Sequence, residues 1–417
     1  MRLIFAATGH GGYTLGPIAD LKVLDLTHYV AGPYATKLLA DFGADVVKAE
    51  RPDGDPARQL GPFGGDEPDP EKSGTFFYLN TNKRSLVVDL AQPAAVAVME
   101  RLTEWADLVV ESFAPGTLNR LGFGWDWLHA RCPDLSLVSV SNFGQDGPYR
   151  DYRGTDLTLF AFGGEMYTMG IAEREPVKMF GTAALIQSGA ATATAAMAAV
   201  FSSKVHGLGQ HVDLSIADTQ VLGVDRRHAR QIAFEFSGQT TPRTPGDART
   251  VLAGVQPCAD GYVEFSGASV RVDRLRAMLG EPEWFADGKW DQPGAFLDPE
   301  LVGEFEANFY PWLFEHTKRE IWKRAREARV LCGPLFTIDE IVSDAHFRDR
   351  GFWEPVSHAV MGELTVPGRP FIMPDSPWEI RRPAPLLGEH SQEVLDHLGF
   401  STDEVDALTA AGAVGVH

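Results

Sequence analysis

Between residues 21 and 140 one pattern repeats: a short run rich in valine and leucine, then a stretch with helix signals. The runs are LKVLDL from Leu21, DVVKAE from Asp45, RSLVVDL from Arg84, DLVVE from Asp107 and LSLVSV from Leu135. Pro33 opens a helix carrying Leu38, Leu39 and Phe42, and Gly43 ends it. Pro93 opens another, with Val96, Val98, Met99, Leu102 and Trp105 as its apolar positions. Strands that are apolar on both faces and alternate with helices predict an α/β fold with a parallel, doubly wound sheet. Ligands of such sheets bind beyond the carboxyl ends of the strands. The residues there are Thr27 and His28, Arg51, Ser112 and Phe113, and Ser141 to Phe143. Arg51 is a candidate for a ligand anion on this ground alone.

With 417 residues the chain exceeds what one hydrophobic core usually serves, so two domains are expected. Residues 18–225 read as the large domain. From 240 to 330 the texture changes, with a strand-like GYVEFS at Gly261 and tryptophan-rich helical stretches, which predicts a smaller α+β domain. Residues 331–417 return to the large domain and a tail, with a last helix near Ser391 to Leu398 and Gly399 as its C-cap. The GHGG at Gly9 to Gly12 reads as a flexible turn. The small-residue run Ala183 to Phe201 contains Gln187, Ser188, Thr192 and Thr194, so it predicts a buried helix and not a membrane span.

Asp and Glu outnumber Lys and Arg by 57 to 37, a net charge of −20. That excludes the basic footprint a nucleic-acid-binding surface needs. An anionic cofactor can bind only where local arginines, lysines or helix N-termini reverse the field. Three widely spaced cysteines, Cys132, Cys258 and Cys332, form no CxxC pair. They indicate neither zinc nor a disulfide framework, and fit a reducing cytoplasm. No GxGxxG, P-loop, HExxH or GxSxG is present, so no metal or nucleotide signature stands in the chain.

Longer strings point further. They include VLDLTHYVAGPYATKLLADFGADVVKAERP (Val23 to Pro52), NTNKRSLVVDL (Asn80 to Leu90) and ADLVVESFAPGTLNRLGFGW (Ala106 to Trp125). SNFGQDGPY (Ser141 to Tyr149), GTDLTLFAFGGEMYTMG (Gly154 to Gly170), GLGQHVDLSIAD (Gly207 to Asp218), CGPLFTIDEI (Cys332 to Ile341) and PLLGEHSQEVLDHLG (Pro385 to Gly399) follow. In order, over nearly the whole chain, these strings resemble the class III (CaiB/BaiF) coenzyme A transferases. The resemblance implies a Rossmann-like large domain, a small domain, and two protomers interlocked like chain links. It implies CoA or acyl-CoA as substrate, lying along the strand ends. His28, Val30 and Ala31 would line its approach, Arg51 and Arg120 would meet its phosphates, and Lys83 and Phe113 would lie near the nucleotide. Ser112 stands where the family often has Asn.

The family's nucleophile is an aspartate, which accepts the acyl group as a mixed anhydride that CoA thiolate reopens. Counting back from Gly209-Gln210 along an ungapped helix places Leu185 at that position, with Ser188 and Gly189 in register. No Asp or Glu lies between Glu175 and Asp213. Related racemases use the same aspartate and a histidine that falls at Thr155, so the racemase reading is poor. The acidic residues left nearby are Asp156, a weak catalytic candidate or a helix cap, and Glu165, expected at the surface or in a hinge. Phe160, Phe162, Met166 and Tyr167 could suit a hydrophobic acid or simply pack.

The resemblance therefore implies a cytoplasmic CoA-transferase subunit without the nucleophile, acting with an Asp-bearing homologous subunit. Members activating benzylsuccinate with succinyl-CoA work in this way. The alternatives are a homodimeric transferase using another carboxylate, such as Asp156, and a non-catalytic acyl-CoA binder.

Overall fold

The computed structural model describes residues 16–65, 67–222, 227–245, 253–266 and 271–416; the GHGG motif lies outside them. The strands are β1 (Lys22–Leu26), β2 (Asp45–Glu50), β3 (Lys83–Val88), β4 (Leu108–Glu111), β5 (Ser136–Ser141) and β6 (His211–Ser215). They continue with β7 (Gly254–Cys258), β8 (Gly261–Phe265), β9 (Cys332–Pro334), β10 (Trp353–His358), β11 (Gly362–Pro367) and β12 (Val414–Gly415).

Seven strands form one sheet in the order β12-β3-β2-β1-β4-β5-β6. The first six in sequence pair in parallel and β12 closes one edge antiparallel to β3. Strand β3 is buried at every position, and β4 and β5 likewise, as strands inside a parallel sheet covered on both faces are. The chain winds from β1 outward to β3, then recrosses to β4 and winds the other way. Strands β1 and β4 thus flank the switch point, where the connections on the two sides diverge and open a crevice. Leu26 pairs with Glu111, so Thr27-His28 and Ser112-Phe113 leave the sheet side by side.

Helices cover both faces. Val98, Met99 and Leu102 of the helix Ala95–Trp105 pack with Val394 and Leu395 on one. On the other, Leu39 and Ala40 of the helix Ala31–Asp41 pack with Leu185, Ala196 and Val200 of the helix Ala183–His206. Those last two helices touch at Gly189, where a Cβ would stand 2.5 Å from the Ala31 carbonyl oxygen. Only glycine permits that approach. Ala183–His206 is long and apolar enough to cross a membrane, yet it lies against the sheet as an interior helix with half its most apolar window buried.

The second compact unit is Gly170–Pro176 with Pro242–Arg348. Its antiparallel sheet β7-β8-β9 covers an aromatic core of Phe285, Trp290, Phe305 and Phe309. This unit runs past the boundary expected at residue 330, because Cys332–Pro334 pairs with β8. The polar run HVDLS also hid a sixth parallel strand, β6, from the sequence pattern.

Candidate active site

The carboxyl ends of β1, β4 and β5 line a cavity of about 420 Å³ whose walls include His28, Ser112, Phe113, Arg150, Asp156 and Leu185. A smaller one, about 270 Å³, lies beside it, bounded by Arg51, Asp55, Leu90 and Leu121. His28 and Phe113 line both. Of the residues expected to meet CoA, His28, Val30, Ala31, Arg51 and Phe113 therefore gather at one crevice. Arg120, on the short helix Thr117–Arg120, stands exposed just outside it.

Lys83 does not join them. Its ammonium is fully buried, bonded to Asp25 Oδ2 at 2.9 Å, the Pro33 carbonyl at 2.9 Å and Asn80 Oδ1 at 2.8 Å. This corrects the expectation from sequence: Lys83 supports the crevice from beneath. Burial alone would raise the Asp25 carboxyl. Lys83 and Lys48, with the hydroxyls of Thr27 and Thr36, outweigh that and hold it at about 2.

The same buried network holds the loop that carries His28. Lys48 donates to the Thr27 carbonyl at 2.8 Å and pairs with Asp55 at 2.8 Å. Asp55 Oδ1 in turn accepts the Tyr29 N–H at 2.9 Å, fixing a residue with φ of 73°. Such a left-handed non-glycine is costly unless its surroundings over-determine it. Lys48 and Asp55 were not singled out from the sequence; the signal was a lysine in the middle of an otherwise buried strand. The His28 N–H donates to Ser112 Oγ at 3.0 Å, and its ring Nδ1 lies 3.4 Å from the same oxygen. Burial lowers the imidazole pKa, although Asp55 pulls it upward.

Arg51 is at the surface, paired with the exposed Asp53 at 2.7 Å, its side chain 59% exposed. A pair in that setting contributes little and yields readily to a ligand. Phe113 is oriented by its N–H, which donates to Glu111 Oε2 at 2.7 Å.

Leu185 is buried and forms part of the cavity wall with Leu159, Val140 and Ile216. Its backbone N–H donates to Asp156 Oδ1 at 3.2 Å, and Lys178 Nζ bonds Asp156 Oδ2 at 2.7 Å. Both Asp156 oxygens are thus engaged. The helix Ala183–His206 has no side-chain cap of its own at Thr182, and Asp156 supplies one from another helix. Glu165 is buried, against the expectation of a surface or hinge position, and Phe160 is core. Phe162 instead meets Phe143 and Tyr149, with ring centroids 5.4 and 5.9 Å away. Tyr152, which lines the cavity, extends the group. Arg150, Tyr152 and Arg153 were missed in the sequence, because nothing in a Gly- and Pro-rich loop tells which way it folds.

The profile of CoA-transferase family III matches residues 18–391. The succinyl-CoA:(R)-benzylsuccinate CoA-transferase subunit BbsE of Thauera aromatica is 31% identical, over 94% of this chain and 97% of its own. A formyl-CoA:oxalate CoA-transferase of Afipia carboxidovorans is 32% identical, over 95% and 97%. The crystal structure of a CaiB/BaiF family protein from Brucella suis superposes with a TM-score of 0.78 at 27% identity, covering 92% of this chain and all of that one.

Proposed function

The chain belongs to CoA-transferase family III, and from that premise we propose that it is the subunit without a nucleophile in a two-subunit enzyme moving CoA onto a dicarboxylic acid. The observation that supports this reading is Leu185 in the cavity wall, the residue that the resemblance sets at the position of the family's aspartate. A leucine side chain can neither attack a thioester nor carry an anhydride, and the nearest carboxylate, Asp156, is occupied as a helix cap. The rest of the crevice has the means to hold an acyl-CoA: an exposed arginine, a histidine and an aromatic ring at the strand ends.

In the complete enzyme an aspartate of the partner subunit attacks the acyl-CoA carbonyl. The anhydride forms as the C–S bond breaks, and CoA leaves as its thiolate. The incoming carboxylate then attacks the aspartyl carbonyl of the anhydride and expels the donor acid as its carboxylate, and the thiolate attacks the new acyl carbon and frees the aspartate. In the present chain Arg51 and Arg120 hold the CoA phosphates and Phe113 the nucleotide end. The relatives named for benzylsuccinate and oxalate favour a dicarboxylic acid. The aromatic group around Phe162 and Tyr152 favours one with a ring. Three free cysteines fit a cytoplasmic location.

The test is reconstitution. The purified chain is expected to show no transfer from succinyl-CoA to short or aryl-substituted dicarboxylic acids, and an Asp-bearing homologue encoded beside it to restore the reaction. Turnover by the isolated chain, with an acyl adduct trapped on one of its own carboxylates, would overturn the proposal.

A further inference from the structure

Two guanidinium groups converge over the turn that follows β4. Gly116 has φ of 76° and opens the short helix Thr117–Arg120. A Cβ built on Gly116 would lie 3.0 Å from Arg150 Nη2 and 3.5 Å from Arg120 Nη1. The two side chains, 30 residues apart in sequence, therefore share one bare patch of backbone.

Among the described residues neither has an acidic partner. Arg120 Nη2 donates to Thr117 Oγ1 at 2.6 Å, a neutral contact. Arg150 Nε is buried with no acceptor. No carboxylate among the described residues pairs with either, whereas Arg58 holds two glutamates and Arg84 an aspartate and a glutamate. In a chain with a net charge of −20, carboxylates are abundant. Two neighbouring cations without one repel each other, and a bound anion reverses that repulsion into attraction.

We propose that Arg150 and Arg120 clamp a phosphate group of CoA across Gly116, which makes Arg150 a further CoA ligand; this rests on reading the crevice as the CoA site. Two guanidiniums present more donors than one carboxylate has oxygens facing them, and a phosphate offers acceptors on several sides. Position argues the same way. Arg150 lines the cavity that reaches Leu185, while Arg120 lies outside it. A ligand bridging both passes over the rim, as the phosphorylated end of a long thioester does when its acyl end is deep. The missing side chain at Gly116 leaves room for that passage.

Calorimetric titration with free CoA, succinyl-CoA and 3′-dephospho-CoA tests the clamp on the full-length protein. Arg150→Gln and Arg120→Gln are each expected to weaken free CoA at least about tenfold, the range for losing a hydrogen bond to a charged group. The double variant should fall short of the product of the two losses, since both side chains hold one group. A loss that persists with 3′-dephospho-CoA assigns the diphosphate, and one that disappears assigns the 3′-phosphate. Arg150→Lys, which keeps the charge without the fork, should fall between, and unchanged thermal melts exclude misfolding. Wild-type affinity for free CoA in Arg150→Gln would overturn the clamp. So would a loss confined to succinyl-CoA, which would assign the arginine to the acyl carboxylate. If the wild-type protein and its complex bind no CoA, the reading beneath fails instead.

Discussion

The backbone N–H of Leu185 donates to a carboxylate oxygen of Asp156, 29 residues earlier in the chain. The acid nearest the Leu185 side chain's anchor in the helix thus serves that residue's own backbone. Asp156→Ala removes a cap and an ion pair at once. It should cost about 1–3 kcal/mol in urea unfolding, with Asp156→Asn milder because its amide oxygen still accepts from Leu185. An unchanged denaturation midpoint in Asp156→Ala would refute the capping role.

Lys83 and Arg51 should behave oppositely. Lys83 is fully buried on Asp25, so Lys83→Met leaves that carboxylate short of a partner and should destabilise by about 3–5 kcal/mol. Arg51→Ala should leave stability within about 0.5 kcal/mol, since its pair with Asp53 is exposed, yet weaken CoA by about 1–3 kcal/mol. Denaturant melts and calorimetry on both variants decide it. A stable Lys83→Met with impaired CoA binding would return that lysine to the ligand site.

Glu111 gives a pH signature. Burial pushes its carboxyl from 4.5 up to about 7, against the hydroxyl of Ser139 and the N–H of Phe113. The folded state therefore holds this proton more tightly than the unfolded chain. The stabilisation is fully present below about pH 4.5 and is lost as pH rises through about 7, a change of about 3 kcal/mol. His211, bonded to Ser139 at 2.9 Å, has its pKa lowered by burial and acts in the opposite sense. The difference between Glu111→Gln and wild type isolates the glutamate. Glu111→Gln should be the more stable protein at pH 8 and lose that advantage towards pH 4.5, as read by thermal melts. Parallel curves for the two proteins would contradict the shift.

The strand ends were legible because burial on both faces shows as short runs rich in Val and Leu, and β1 to β5 follow that signal within a residue or two. The direction of side chains was not. Arg51 and Lys83 are both basic residues at strand termini, but Lys83 opens its strand and Arg51 follows the end of its own. The strand pattern already put Arg51 at the ligand end, whereas the bond from Lys83 to the Pro33 carbonyl, which turns its side chain toward the helix Ala31–Asp41, is seen only in the fold. The approach of Arg150 to Arg120 depends on how a loop returns over Gly116, which no local pattern encodes.

Leu185→Asp tests whether the crevice has kept the rest of its chemistry. The change removes a buried leucine and inserts a carboxylate beside Asp156, whose charge is already shared with Lys178. Lost packing and like-charge repulsion should together destabilise by about 2–5 kcal/mol, partly offset by the helix N-terminus at Ala183. The new carboxylate would stand in the wall of the same cavity as His28 and Phe113. If only the nucleophile was lost, incubation with succinyl-CoA should yield an adduct at residue 185, seen as a mass increase and cleaved by hydroxylamine. We expect a partial yield, since Leu159 and Ile216 pack for an apolar neighbour. A folded variant that binds CoA and forms no adduct would show that the acyl carbon is not presented at residue 185 in this chain, leaving CoA binding and support of the partner as its contribution.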